Sequence, residues 1–337
     1  MRRFLAPPPR REVEPGRAPT FSVIVAAYQV AEVISHALDS ILSQTLQPLE
    51  VIVCDDGSTD DLETALAPYR DQIVLLRQDN GGEASAKNAA AHAASGDFVA
   101  ILDADDVYRP EYLAAVSELA RSRPDLDILT TNGVLVANEL ELRQVYHRRW
   151  PFEVANQRRA ILQRNFVFGV AAVRRSVLLE HGGFDESILW TTDWDFWLRL
   201  ILAGSVAGCI DTELAEYRLR ETSLTARRRE LLLGKIVTLE KARGNASLRA
   251  DERSVLETSI ASYRRELKFQ DLTVAIAAGE GDARRRARAL LVAPGFDPRR
   301  RVELAGMTLA PKLAGRLLRR RATAAWVGAG GIRVGRR

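Results

Sequence analysis

The stretch Phe98-Val99-Ala100-Ile101-Leu102-Asp103-Ala104-Asp105-Asp106 decides the fold of this chain. Its apolar run is that of a strand buried on both faces, and it ends in three carboxylates, Asp103, Asp105 and Asp106. Charge at the end of a buried strand calls for a ligand or a cap. In an open α/β sheet, ligands lie in the crevice beyond the carboxyl ends of the strands, so Asp103 and Asp105 are expected to face a site. Two carboxylates at this spacing suit a hard divalent cation, held partly by protein oxygens and partly by the phosphates of a substrate. The structural alternative is an acidic cap on the helix expected at Pro110-Glu111-Tyr112-Leu113.

Upstream, the same pattern recurs. Phe21-Ser22-Val23-Ile24-Val25-Ala26-Ala27 is a predicted strand ending at Tyr28, and Val33, Ile34, Ala37, Leu38, Ile41 and Leu42 form a helical stripe after it. A second strand, Glu50-Val51-Ile52-Val53-Cys54, runs into Asp55-Asp56-Gly57-Ser58-Thr59-Asp60. Ser58, Thr59 and Asp60 are suited to cap the helix that continues to Leu66. A third strand, Ile73-Val74-Leu75-Leu76, leads to Gly81-Gly82-Glu83-Ala84-Ser85-Ala86-Lys87-Asn88 and an alanine-rich helix, whose start offers free amides and a positive dipole to an anion. Alternating strands and helices predict a mainly parallel sheet flanked by helices, with Asp56, the glycine pair and Asp103/Asp105 delivered to one edge as a nucleotide-sized site.

In this order, Ser22 to Tyr28, Val51 to Asp60, Gly81-Gly82 to Asn88 and Asp103-Ala104-Asp105-Asp106 resemble family 2 glycosyltransferases of the GT-A fold, and the resemblance runs from about Thr20 to Thr225. It implies an inverting transfer of sugar from a nucleotide-diphosphate donor, UDP-linked, to a hydroxyl of a glycan or lipid-linked acceptor, in the synthesis of cell-surface polysaccharide or glycoconjugate. By the same resemblance, Ala27, Tyr28 and Asp56 would contact the base, and Gly81 and Lys87 belong to the nucleotide site. Asp103 would reach the ribose or nucleotide, and Asp105 would hold Mn²⁺ or Mg²⁺ on the diphosphate. Two residues depart from the family pattern: Gln29 stands where Asn is usual, and Lys87 where Arg is usual, which keeps a charge but loses the bidentate fork.

Downstream, Ile128 to Val136 reads as a strand or hairpin arm, and Arg143 to Arg164 as an irregular, mobile cover over the acceptor groove. Phe168 to Val173 is a further strand, and His181-Gly182-Gly183-Phe184 a turn. Trp190-Thr191-Thr192-Asp193-Trp194-Asp195-Phe196-Trp197 then carries the chemistry an inverting transfer needs, a carboxylate to take the acceptor's proton. Family members commonly have Glu-Asp before an aromatic here. Thr192 replaces the Glu, so the resemblance makes Asp193 the base and Asp195 its rival. Capping the helix that carries Phe196, Trp197, Leu200 and Ile201 is the structural alternative for Asp193. Trp190 and Trp194 are candidates to stack on sugar faces or to fill the core. Glu216 to Arg220 and Ser223-Leu224-Thr225 resemble the family's closing segment, which places Arg218 near the diphosphate.

The chain has 337 residues and a formal charge of +4, but from Gly281 onward 15 Lys/Arg face 3 Asp/Glu. Predicted helices at Glu230 to Lys241, Asp251 to Ala278, Asp282 to Val292 and Pro311 to Arg321 make residues 230–337 a basic helical extension, after a GT-A domain at 20–229 and a disordered Pro/Arg-rich leader at 1–19. Arg284-Arg285-Arg286, Arg299-Arg300-Arg301 and Arg319-Arg320-Arg321 suit an anionic membrane surface or a solvated helical face. With only Phe296 and Trp326 among them, nucleic acid is not expected as a partner. Cys54 and Cys209 have no CxxC spacing, and His36, His92, His147 and His181 have no zinc spacing. No run reaches the roughly 20 apolar residues of a membrane span, and Pro7-Pro8-Pro9 interrupts any signal-like start. The expected location is cytoplasmic, on the cytoplasmic face of the membrane where the extension meets lipid. Two other functions fit the sheet: a nucleotidyltransferase, although Ala26-Ala27-Tyr28-Gln29 lacks a basic Gly-rich loop, and a non-catalytic glycan-binding or scaffold protein.

Overall fold

A computed structural model describes residues 3–7, 17–137, 140–219 and 228–318. Pro8 to Arg11, Arg220 to Thr225, Arg319 to Arg321 and Trp326, all used in the sequence reading, lie outside the described residues. The strands are β1 (Phe4–Leu5), β2 (Phe21–Ala27), β3 (Glu50–Asp55), β4 (Val74–Arg77), β5 (Phe98–Ile101), β6 (Val107–Tyr108), β7 (Ile128–Ala137), β8 (Leu140–Gln144), β9 (Ala171–Arg174) and β10 (Ala207–Arg218). They form one sheet in the order β1-β10-β7-β9-β5-β2-β3-β4, with β6 paired to β10 and β8 to β7.

The half from β5 to β4 is parallel throughout, as alternating strands and helices require. β9 is the exception in the middle, antiparallel to both β5 and β7. β2, β3 and β5 are buried on both faces because the helices Ile34–Leu42 and Glu83–Ala93 and their neighbours cover them. In-register pairing of Ala27 with Asp55, and of Ile24 with Ile101, brings the ends of these strands to one edge.

Three local expectations are corrected. Phe4–Leu5, inside the leader read as disordered, pairs antiparallel with Ile210 and Cys209 at the sheet edge. Ser58 and Asp60 do not cap the helix Leu62–Leu66: the Ser58 Oγ accepts from the Gln29 N–H at 3.2 Å, and Asp60 accepts from the Ala31 N–H at 2.8 Å. The short polar groups are spent on the adjoining loop, where Gln29 holds a left-handed φ of 55°. Arg143 to Arg164 is irregular from Val145 to Asn156, as expected, but it is packed rather than a loose cover. It contains a helix at Gln157–Ile161, and its Phe152 packs edge to face on its Tyr146 and on Phe166 just beyond it. The Tyr146 hydroxyl donates to the Phe166 carbonyl and accepts from the Phe168 N–H, both at 2.8 Å, while the Tyr146 backbone N–H and carbonyl are held by the Asn132 side chain of β7, which pins the segment to the sheet.

The helical extension divides between two cores. Leu239, Ala242, Leu248, Val255, Leu256 and Ile260 join the core built on the sheet. Phe269, Leu272, Ile276, Ala287, Leu304 and Met307 form a second, smaller one. The helix Ala250–Ala278 spans both. Among the described residues, no helix is long and apolar enough to cross a membrane.

Candidate active site

The loop after β3 is organised by Asp56. Its Oδ1 accepts from the Gln78 side chain at 2.7 Å and the Gly81 N–H at 2.9 Å, and its Oδ2 from the Gly82 N–H at 2.8 Å. Asp56 is buried, and its own N–H donates to the Ala27 carbonyl at 2.9 Å. Asp56 thus ties the end of β2 to the glycine loop, through its N–H to Ala27 and through its carboxylate to Gly81 and Gly82, with Tyr28 standing half exposed beside them. The glycine loop is fixed at the start of the helix Glu83–Ala93, where helix amides favour an anion.

On that helix, Lys87 is buried and reaches Asp103 at 2.8 Å and Glu83 at 2.5 Å. Burial alone would push the ammonium down, but Asp103 and Glu83 outweigh it and hold the pKa well above its usual value. Lys87 is therefore a fixed positive charge at the strand ends. In the turn that follows, Asp106 is buried and accepts from the Arg218 N–H at 2.9 Å, which brings the end of β10 to the acidic turn. Burial, then the charges of Asp103 and Asp105, push the Asp106 carboxyl well up. Asp103 and Asp105 remain partly exposed.

These hard oxygen donors, crowded enough to raise a neighbour's pKa, fit a divalent cation that would relieve the repulsion. They do not make a complete cage: among the described residues, no cluster of three or more ligating side chains is disposed around a metal position. One or two carboxylates completed by substrate phosphates is the way Mg²⁺ is usually held.

A cleft of about 320 Å³ opens beside this turn, with Lys87 and Asp103 on one wall and Asp193 on another. Asp193 lies in the first turn of the helix Thr192–Ala203. Its Oδ1 accepts from the Trp194 N–H at 2.7 Å and its Oδ2 from the Asn165 side chain at 2.8 Å. Burial pushes this carboxyl up to about 6; Lys87 and the Trp194 N–H oppose the rise, and Glu83 and Asp103 add to it. A carboxylate tuned close to neutrality in a cleft is suited to general base work.

Asp195 does not share the cleft. It is buried, pairs with Arg199 at 2.8 Å, and through it supports the carbonyls of His181 and Gly183, which Arg199 binds at 2.9 and 2.5 Å. That turn in turn positions Phe184, whose N–H and carbonyl are held by the Asn88 side chain at 2.8 and 2.9 Å. Trp194 is core rather than an open platform: it is buried, donates its indole N–H to the Ile161 carbonyl at 2.8 Å, and meets Tyr263 edge to face. Trp190 lines the cleft and is half-buried. So does Trp150, 44% exposed, with the Arg164 guanidinium over its ring at 4.8 Å.

Sequence reasoning missed Asn165, Gln78 and Asn88, amides that bind only through the folded chain. It also missed Lys235, which enters the cleft from the helix Arg228–Ala242.

Residues 22–182 match the family model described as Glycosyl transferase family 2. An uncharacterized glycosyltransferase of Rickettsia prowazekii is 29% identical over 194 residues, covering 56% of this chain and 61% of that protein. The hyaluronan synthase of Pasteurella multocida is 32% identical over 198 residues, covering 56% of this chain and 19% of the synthase. The chain thus spans less than two thirds of the length of either relative. Among solved structures, S. aureus TarS 1-349 superposes with a TM-score of 0.60 at 18% identity, covering 92% of this chain and 91% of that one. The mannosyltransferase PcManGT from Pyrobaculum calidifontis, solved with GDP-Man and Mn²⁺, superposes with a TM-score of 0.58 at 20% identity, covering 94% and 88%. The architecture is therefore the GT-A fold, with a helical C-terminal region. The likeness to glycosyl transferase family 2 is carried by the domain at residues 22–182, just under half of the chain.

Proposed function

We propose that this chain is an inverting glycosyltransferase that moves a sugar from a UDP-linked donor to a hydroxyl of a glycan or lipid-linked acceptor, in the making of cell-surface polysaccharide or glycoconjugate. The observation that carries the reading is Asp193, a carboxylate raised to about 6 in the cleft that also holds the Lys87–Asp103 pair. The relatives named hyaluronan synthase and chondroitin synthase support polysaccharide synthesis, and TarS solved with UDP and with UDP-GlcNAc supports a UDP-linked donor.

In this reading Ala27, Tyr28, Asp56 and Gly81 frame the nucleotide, and Asp103 meets the ribose while Lys87 fixes its carboxylate. Mn²⁺ or Mg²⁺ at Asp105 would supply Lewis acidity toward the diphosphate. Asp193 accepts the proton of the acceptor hydroxyl as that oxygen bonds to the anomeric carbon. The bond from that carbon to the diphosphate oxygen breaks on the opposite face, and the nucleoside diphosphate leaves with the electron pair. Asn165 holds the Asp193 Oδ2 through this proton transfer. Trp190 lies on the acceptor side, and Arg218, anchored by its N–H to Asp106, on the diphosphate side.

The reading extends to the cytoplasmic membrane face, where the extension would meet anionic lipid. Arg286, Arg300 and Arg301 are engaged within the helical bundle, with Glu280, with Glu266 and with the Leu291 carbonyl. Contact with headgroups therefore rests on Arg285 and Arg299, whose side chains are 85% and 90% exposed, beside the exposed Val292, Val302 and Leu309. Sedimentation with anionic vesicles at low salt tests it, and no co-sedimentation removes it.

Titration calorimetry with UDP and with GDP, each with and without Mn²⁺, tests the donor reading. Metal-dependent UDP binding that disappears in Asp105→Ala is expected. A folded protein that binds neither nucleotide would sink the proposal.

A further inference from the structure

The helix Arg228–Ala242 is not a neighbour of the cleft but one of its walls. Leu231 and Lys235, one turn apart, line it together with Asp193 and Trp190. Two contacts fix the helix there. The Thr191 and Thr238 hydroxyls are 2.8 Å apart, and Gly234 lies so close that an added Cβ would sit 2.7 Å from the Trp190 Cβ. The position of Lys235 is therefore set by packing on the very segment that carries Asp193.

Lys235 is a charged group in a partly desolvated place. Its ammonium stands 5.4 Å from the Tyr263 ring centroid, and Tyr263 is itself held by its hydroxyl on the Gln163 carbonyl at 2.8 Å and by its edge against Trp194. Among the described residues it has this aromatic face and no ion pair, whereas Lys87 in the same cleft is taken up by Asp103 and Glu83. Burial pushes the Lys235 pKa down; Asp193 opposes this, and Arg228 adds to it. A cation kept in such a site without a carboxylate partner favours a ligand that brings the missing negative charge and disfavours a neutral one.

We infer that Lys235 is a specificity-determining residue of the acceptor subsite, recognising an anionic group, carboxylate or phosphate, carried by the acceptor beside the hydroxyl that is glycosylated. This inference rests on the reading of Asp193 as the base, because the base marks the acceptor's end of the cleft. Lys87 and the acidic turn occupy the strand-end wall, and Lys235 enters from the helical wall. An acceptor anion on Lys235 would orient its hydroxyl on Asp193 and would also neutralise a charge that works against placing a second cation there. Arg would keep the charge at this position but not the compact ammonium over the ring.

The chain's lysines are Lys87, Lys235, Lys241, Lys268 and Lys312, few enough to follow individually. The full chain, grown with ¹³C-lysine and saturated with UDP and Mg²⁺, is titrated with inorganic phosphate and separately with acetate. The lysine Cε resonances are recorded, and Lys235 is assigned by its loss in Lys235→Arg. The expected result is a saturable shift at Lys235 at a concentration at least tenfold below that which moves Lys241, Lys268 or Lys312. A response confined to phosphate makes the acceptor group a phosphate, one confined to acetate makes it a carboxylate, and a response to both supports an anion subsite that takes either. A Lys235 that moves no earlier than the surface lysines overturns the inference. So does a shift produced by UDP and Mg²⁺ that abolishes the anion response, since Lys235 would then serve the donor diphosphate. The titration is repeated without nucleotide, so a chain that fails to bind UDP defeats the donor reading separately and leaves the anion response to be judged by itself.

Discussion

The Asn165 side chain donates to the Asp193 Oδ2 at 2.8 Å, so the candidate base is oriented from a different element than the one that carries it. The bond favours the ionised carboxylate, against the burial that pushes it up to about 6. Transfer requires the deprotonated base, so activity should rise with pH through about 6 and level above it. Asn165→Ala removes a hydrogen bond to the charged form and should move that acid limb upward by about half to one pH unit, the equivalent of one ordinary hydrogen bond. Measuring kcat/KM against pH in the two proteins decides it; an unmoved limb would mean that Asn165 has no part in the ionisation.

The same raised pKa has a consequence for stability. A carboxyl at about 6 in the folded chain and at 3.8 otherwise binds more proton when folded, so its contribution is full below about 4 and is lost as pH rises to about 6. At pH 7 the ionised Asp193 is a net cost. Asp193→Asn should therefore abolish transfer while raising Tm at pH 7, by roughly 2–4 °C for each kcal/mol recovered, and should leave Tm unchanged near pH 4. Equal Tm at both pH values would place the ionised carboxylate in a better-solvated site than the structure shows.

Much of this was legible in the chain. The strand ends could be read because a buried parallel strand is a continuous apolar run, and a carboxylate after it, as at Asp103, has nowhere to go but the sheet edge. The family motif set Asp193 ahead of its rival Asp195, and the pairing of Asp195 with Arg199 was not legible in the chain. The irregular course of Arg143 to Arg164 was legible, but its packing was not, because Tyr146 and Phe152 join the sheet's core together with Phe166, and such contacts leave no periodic pattern in the chain. Lys235 had no local signal at all. It is one lysine on a helix with little amphipathic contrast, and only the packing of Gly234 on Trp190 turns it into the cleft.

Lys87 bridges Glu83 and Asp103 from a buried position, so removing its charge leaves two carboxylates facing each other. Lys87→Met is expected to destabilise by about 1–3 kcal/mol, less than a fully buried pair because both acids are partly exposed. It should also weaken UDP binding more than tenfold. Lys87→Arg, by contrast, should retain most nucleotide affinity, since the charge remains within reach of Asp103. Calorimetric UDP titrations and urea melts separate the two effects; wild-type nucleotide affinity in a stable Lys87→Met protein would remove Asp103 from the nucleotide site.

Gly234 offers a sharper test of whether the extension belongs to the active site. It lies inside the helix Arg228–Ala242, where Ala is intrinsically preferred to Gly by about 1 kcal/mol. On an unengaged helix Gly234→Ala would stabilise. Here the added Cβ would meet the Trp190 Cβ at 2.7 Å and the Thr191 side chain at 3.2 Å, atoms close to the backbone that cannot swing aside. The overpacking should outweigh the gain in propensity and lower stability by about 1–3 kcal/mol. Because the displaced residues adjoin Asp193, kcat should fall while UDP affinity, set at the strand ends, stays as it was. A Gly234→Ala protein that is more stable and fully active would show that the helix is not seated against Trp190 in solution, and the Lys235 wall of the cleft would go with it.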